Sequence, residues 1–102
     1  MNLDVSGHSL IYLDGSATDK VTINSKGVSV IDGHTFTCKR AHVFLEEQSI
    51  VSLDVTESLT ANLNGASTYY YVTEEIQISK WVSGNSKIQK YEEEIVLELP
   101  NL

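Results

Sequence analysis

The chain has one cysteine, one proline, one methionine and one tryptophan among its 102 residues. A lone cysteine, Cys38, excludes an intramolecular disulfide and leaves the redox compartment open. The proline, Pro100, stands near the C-terminal end, outside the patterned part of the chain. Basic residues are also scarce: 7 Lys and Arg face 14 Asp and Glu, for a formal charge of -7. That balance excludes the cationic stripe a nucleic-acid partner requires and disfavours an anionic membrane surface. No apolar run approaches the roughly 18 residues of a transmembrane helix, so no membrane insertion is expected. Met1-Asn2-Leu3-Asp4 is not a basic region leading into an apolar stretch, so no signal peptide is read there. The expected location is cytoplasmic if Met1 is the native start, and the cell envelope or exterior if a leader has been removed. Helix signals are weak, because Val, Ile, Thr, Tyr and Ser dominate.

What is present is a repeat. Ser6-Gly7-His8-Ser9, Lys26-Gly27-Val28-Ser29, Glu46-Glu47-Gln48-Ser49, Asn64-Gly65-Ala66-Ser67 and Ser83-Gly84-Asn85-Ser86 are five versions of one phrase. Their closing serines lie 20, 20, 18 and 19 residues apart. A period near 19 over the whole length is the mark of a solenoid. Columns counted from the serines are mostly apolar and two residues apart, which is strand periodicity with one face buried. They read Leu3, Ile23, Val43, Ala61, Lys80; Val5, Ser25, Leu45, Leu63, Val82; Ile11, Ile31, Val51, Tyr69, Ile88; and Leu13, Gly33, Leu53, Tyr71, Lys90. The column Asp4, Asn24, Phe44, Asn62, Trp81 is largely polar and is expected to face outward.

Each repeat therefore reads as strand, corner, strand, turn, strand, in a single all-β domain spanning residues 1–102. Glycine supplies the positive φ that a corner of one or two residues needs, and Glu47 replaces it in the third copy. That copy either turns differently or carries strain. The serines are expected to stack as a ladder, hydroxyl to hydroxyl, at about 4.8 Å. Asp14-Gly15 and Asp32-Gly33 suggest a second corner. About five rungs cover residues 3–90. A C-terminal cap is expected over residues 91–102, with a strand from Ile95 to Leu99 covering the last rung.

These phrases resemble the auto-transporter adhesin head domain, or GIN domain, of bacterial cell-envelope proteins. The resemblance rests on Ser6-Gly7-His8-Ser9, on Ser83-Gly84-Asn85-Ser86, and on the segment from Leu59 to Tyr71, and it covers residues 3 to about 90. The longer N-terminal part and the leader usual in the family are not read in this sequence, and Val72 and Glu74 stand near positions where the family tends to carry Gly and Pro. The resemblance implies a right-handed parallel β-solenoid and an envelope or adhesin-like role. It carries over no catalytic residue and no cofactor.

Several side-chain sets invite a chemical reading. His34, Cys38 and His42 are four residues apart, but in a strand successive members stand about 13 Å from each other, too far for one ion. Cys38 is instead read as a small buried apolar residue, and no metal site is expected. Asp14, Asp32 and Asp54 fall at similar places in successive repeats, as do the acids of parallel β-helix enzymes that cleave acidic polysaccharides. Such sites also need cations, which this chain has few of, and the aspartates are read instead as turn residues, before Gly15 and Gly33. No Gly-x-Ser-x-Gly elbow is present. Glu92-Glu93-Glu94 reads as a solvated face. Tyr69 and Tyr71 fall on inward columns. Tyr70 and Trp81 fall on outward ones, and form a candidate surface for sugars or for a protein partner, unless they pack beneath the C-terminal tail.

The function expected is therefore a non-catalytic module presenting a rigid surface, with a glycan or envelope protein as partner. A carbohydrate-active β-helix enzyme and a bactofilin-like scaffold that polymerises end to end are the alternatives. The first rung, from Leu3 to Leu13, is expected to be covered by a second copy in a closed head-to-head dimer.

Overall fold

The computed structural model describes residues 2–16 and 19–92. Among these are eight strands and no helix: β1 (Asn2–Val5), β2 (His8–Ser16), β3 (Lys20–Ser25), β4 (Val28–Leu45), β5 (Ile50–Leu63), β6 (Thr68–Tyr71), β7 (Gln77–Val82) and β8 (Lys87–Lys90). Every pairing among them is parallel. Segments one repeat apart become neighbours, so the chain coils into a β-solenoid of about four turns. The capping strand expected from Ile95 to Leu99 lies outside the described residues.

Each turn has two main sides that meet at the repeated phrase. The first side stacks β1, β3, the end of β4, the end of β5, and β7. The second stacks β2, the start of β4, the start of β5, β6 and β8. A short third segment, residues 14–16, 35–38 and 54–55, closes the lower turns. The columns read from the sequence are the observed ladders: Leu3, Ile23, Val43, Ala61 and Lys80 are successive partners, as are Ile11, Ile31, Val51, Tyr69 and Ile88. Their middle members form the core, with Ile23, Val43, Leu45, Val51, Leu63 and Tyr69 fully buried.

The 18-residue step has a local explanation. β4 carries three residues, His34 to Phe36, that have no counterpart in β5. β5 carries one extra residue farther on, between Val55 and Ser58, where β4 has only Lys39 between Cys38 and Arg40. The loss of two is absorbed at the turn between segments, and the corners above and below stay in register.

The corners are built alike. Gly7, Gly27, Gly65 and Gly84 have positive φ, and Glu47 matches them at 65°. The third copy thus turns like the others, and a side chain occupies the strained left-handed region to do so. Backbone bonds tie each corner to the one before it, for example Val28 N–H to Gly7 O at 3.0 Å and Ala66 N–H to Glu47 O at 2.7 Å. The corners stack so closely that a Cβ on Gly65 would stand 2.8 Å from Glu47 O.

The serine ladder does not form as expected. Ser9, Ser29, Ser49 and Ser67 each donate to the carbonyl three residues back, at 2.9–3.3 Å, closing their own corner. Ser29 and Ser67 also reach the carbonyls of Gly7 and Glu47 in the preceding turn, at 3.1 and 3.3 Å. A carbonyl oxygen has two lone pairs, so a hydroxyl beside a corner carbonyl finds a better acceptor there than in a serine one strand away, even where a backbone N–H already bonds that carbonyl. The serine–serine bond that does form joins Ser25 to Ser49 at 3.0 Å.

The second corner also differs. Gly15 has φ of 105° and its N–H is held by Asp14 Oδ1 at 3.0 Å, as a turn requires. Gly33 sits inside β4, paired with Leu53, and its reason is space: a Cβ there would meet Leu53 Cδ2 and Ser52 O, each at 2.9 Å.

Two stability outcomes follow from this packing. Leu45→Ala and Leu63→Ala are each expected to cost about 2–4 kcal/mol, against less than about 1 kcal/mol for the outward Asn62→Ala, in chemical-denaturation melts. Gly65→Ala is expected to cost at least about 2 kcal/mol, because it combines a disfavoured φ with a backbone clash, while Glu47→Gly is expected to be neutral or stabilising in the same melts.

Candidate functional site

The two main sides differ on their outer surfaces. On the second side, burial runs through both faces: Val30 and Ser52 are fully buried although alternation points them away from the core, and Thr68 is nearly so. Polar and aromatic groups cluster there. His34 Nδ1 bonds Asp32 Oδ1 at 2.7 Å, and the imidazole stacks on Tyr91 with centroids 4.4 Å apart. Tyr70 meets Tyr91 edge-on at 6.3 Å. Tyr70 is therefore half-buried by the chain's own continuation, and the ring that meets it edge-on comes from the segment read as the start of the cap. No spacing in the sequence signals the His34–Tyr91 stack, because the two are 57 residues apart and meet only through the excess residues of β4.

This cluster does not assemble a nucleophile. Ser52 Oγ donates to Asp32 Oδ1 at 3.3 Å and accepts the Gly33 N–H at 3.2 Å, so His34 is not the base of that hydroxyl. The aspartates do not form a column either. Asp32 lies between Tyr12 and Ser52, Asp14 pairs with Thr35, and Asp54 pairs with Thr37. The register shifts at the second corner leave Asp32 on the second side and put Asp14 and Asp54 on the third segment, beside Thr35 and Thr37 and out of line with each other. Each has a local partner instead: Gly15 N–H on Asp14, His34 and Ser52 on Asp32, and the Thr73 hydroxyl on Asp54 at 2.6 Å.

The spaced ligands His34, Cys38 and His42 all lie on β4, and no group of three His, Cys, Asp or Glu converges among the described residues. Cys38 is 1% exposed, and burial, with a smaller push from the Asp54 charge, raises its thiol to about 11. Tyr69 is fully buried, its hydroxyl reaches Leu53 O at 3.4 Å, and its pKa is likewise raised, first by burial. Tyr71, expected inward with it, is only half-buried. Arg40 holds the Asp19 carboxyl below its usual range, and Lys90 does the same for Glu74. Both pairs lie at the surface, and Glu92 is exposed beyond them; Glu93 and Glu94 lie outside the described residues.

The first side is bare. Its outward residues are exposed or half-exposed from β1 to β7. Trp81 is 61% exposed and Phe44 39%, on one column with Asn62 between them. Phe44 was not singled out by sequence reading, because it stands among polar neighbours in the column. Trp81 and Tyr70 occupy strands on opposite sides of the corner, β7 and β6, so they do not share one column.

The end rungs complete the surface. At the first rung Val5 is buried, while Leu3, Ile11 and Leu13 are half-buried, and Leu10 and Tyr12 are exposed. At the last rung Ile78 and Val82 are exposed, and the inward columns end in Lys80 and Lys90. Compared with protein-family models, with curated proteins and with solved structures, the chain shows no match.

Cys38 offers a direct check of the interior. A thiol raised to about 11 holds only about one-hundredth of the thiolate of an ordinary cysteine near pH 8. Ellman's reagent at that pH is expected to react at least about 100-fold more slowly with the native protein than with the urea-unfolded chain.

Proposed function

We propose that this chain is a non-catalytic β-solenoid module that presents a rigid surface and associates with a second copy through its first rung. The observation that carries this reading is the asymmetry of the two ends. Leu3, Val5, Ile11 and Leu13 bring four apolar side chains, without a charge among them, to the inward columns of the first rung. The matching columns of the last rung contain Lys80 and Lys90. An inward-pointing charge on an edge strand opposes the addition of another strand, since pairing would bury it. The last rung is thus defended and the first is not.

That asymmetry favours a closed assembly over a filament. End-to-end stacking of the bactofilin-like kind must place Lys80 above Leu3 of the next copy, at a cost of several kcal/mol for an unpaired buried ammonium. A two-fold dimer of first rungs pairs the outer edges of β1 and β2 with their symmetry mates, covers Leu3, Ile11 and Leu13, and terminates. The resemblance of the repeated phrases to the GIN domain supports a role at the cell envelope, where a stiff non-catalytic module serves adhesion or assembly. The separation of Asp14, Asp32 and Asp54 supports the non-catalytic reading over the polysaccharide-cleaving one.

Light scattering on the 102-residue chain tests the association. A dimer is expected, and Ile11→Asp is expected to give a monomer with an unchanged β-sheet circular dichroism spectrum. Lys80→Leu is expected to give larger, open-ended species. A wild-type chain that stays monomeric at high concentration would show that the first rung is not an interface between copies.

A further inference from the structure

The bare side of the solenoid carries a defined array of groups. Next to the corner, the outward residues of three neighbouring strands are His42 and Phe44 on β4, Thr60 and Asn62 on β5, and Ser79 and Trp81 on β7; two residues farther from the corner the same face continues with Arg40, Ser58 and Gln77, and Arg40 is paired with Asp19. The six next to the corner form a grid two residues wide and three strands deep. Not one is a carboxylate, a lysine or an arginine, in a chain of which 21% is charged. One edge of the grid runs Phe44, Asn62, Trp81, and sets two exposed rings two strand spacings apart, about 9.6 Å, with an amide between them. The other edge runs His42, Thr60, Ser79. The Thr60 and Ser79 hydroxyls and the Asn62 amide make no side-chain hydrogen bond to the described residues.

We infer that this grid is a binding face for an uncharged polysaccharide chain lying along the stack. A sugar ring has an apolar C–H face and a rim of hydroxyls. Phe44 and Trp81 supply separate platforms for the first, and Asn62, Thr60 and Ser79 supply donors and acceptors for the second. Uronates and sulfated glycans are disfavoured, because no cation stands in the grid, the neighbouring Arg40 is already paired with Asp19, and the chain as a whole is at -7. A protein hot spot is disfavoured, since such spots centre on contiguous desolvated apolar groups and here a polar residue separates the two rings. The parallel ladders hold all six side chains in register without any loop, so binding requires no reordering of the backbone. The inference rests on the non-catalytic module reading only in that the sugar is held and left intact. It does not depend on dimerisation.

Trp81 is the single tryptophan, so its emission reports this face alone. The experiment titrates the whole chain with neutral oligosaccharides of the β-glucan, mannan, xylan and N-acetylglucosamine series, and with oligogalacturonate. A saturable change in Trp81 emission is expected with at least one neutral series and none with oligogalacturonate. Phe44→Ala is expected to weaken that binding about tenfold or more, with circular dichroism unchanged, while Tyr70→Ala on the other side leaves it unaltered. The inference is overturned by no response to any neutral series, by preference for oligogalacturonate, or by binding indifferent to Phe44→Ala. Release of new reducing ends from the bound oligosaccharide would overturn the non-catalytic reading and leave the binding face standing.

Discussion

Everything in this fold hangs on the stacked corner. At the third, for example, the chain passes from the first side to the second between Leu45 and Ile50, and Glu47 between them takes up positive φ. The carbonyls exposed by that passage must be bonded, because a backbone group without a partner costs more than a made bond returns. Two devices meet the demand. The N–H groups of the next corner reach down to them, and the serine hydroxyl of the same corner reaches back three residues. With both in place the corner is only a few residues long and is superimposable on its neighbours. Strands on either side are then held in parallel register, and the apolar columns align as a consequence.

The corner also explains where the fold tolerates variation. The step lengths differ by up to two residues, yet the mismatch never reaches the corner. It collects on the far side of the turn, where β4 bulges by His34 to Phe36. That bulge carries His34 out to Tyr91 and separates the aspartates that equal spacing suggested would align. Irregularity placed away from the corner thus creates the one polar–aromatic cluster on the second side, and leaves the first side flat and regular.

Function, on this view, follows from which surfaces the coil leaves open. In the interior, Cys38 and Tyr69 are buried and resist ionisation. The second side is covered on both faces at Val30 and Ser52. Among the described residues, what remains are the first side with Phe44 and Trp81, the first rung with its aliphatic side chains, and the rung of β7 and β8, whose inward columns carry Lys80 and Lys90. A parallel coil has no closing strand pair of its own, so each end rung presents an unpaired strand edge unless something covers it.

The repeated phrase was enough, from sequence alone, to set the strand columns and the all-β coiled architecture. The reason is that a period near 19 with an internal period of two admits few other arrangements: slipping any strand by one residue would turn Val43 or Leu63 outward. The outward position of Trp81 and the inward position of Tyr69 follow from the same alternation. What only the tertiary structure decided are the contacts made where the period fails or where a choice of acceptor exists. The serine hydroxyls had two candidate partners, each other or the corner carbonyls, and only local geometry chose the second. Asp32 and Asp54 look equivalent by position, but the excess residues of β4 place them on different segments. Glu47 looks like a break in the pattern, yet bonds to the corners above and below hold it in the glycine conformation. Phe44 looks like an exception in a polar column, and becomes half of an aromatic edge once β5 sets Trp81 two strands away. Periodicity specifies which face a residue lies on; the partners it meets there depend on register shifts, which no periodic signal encodes.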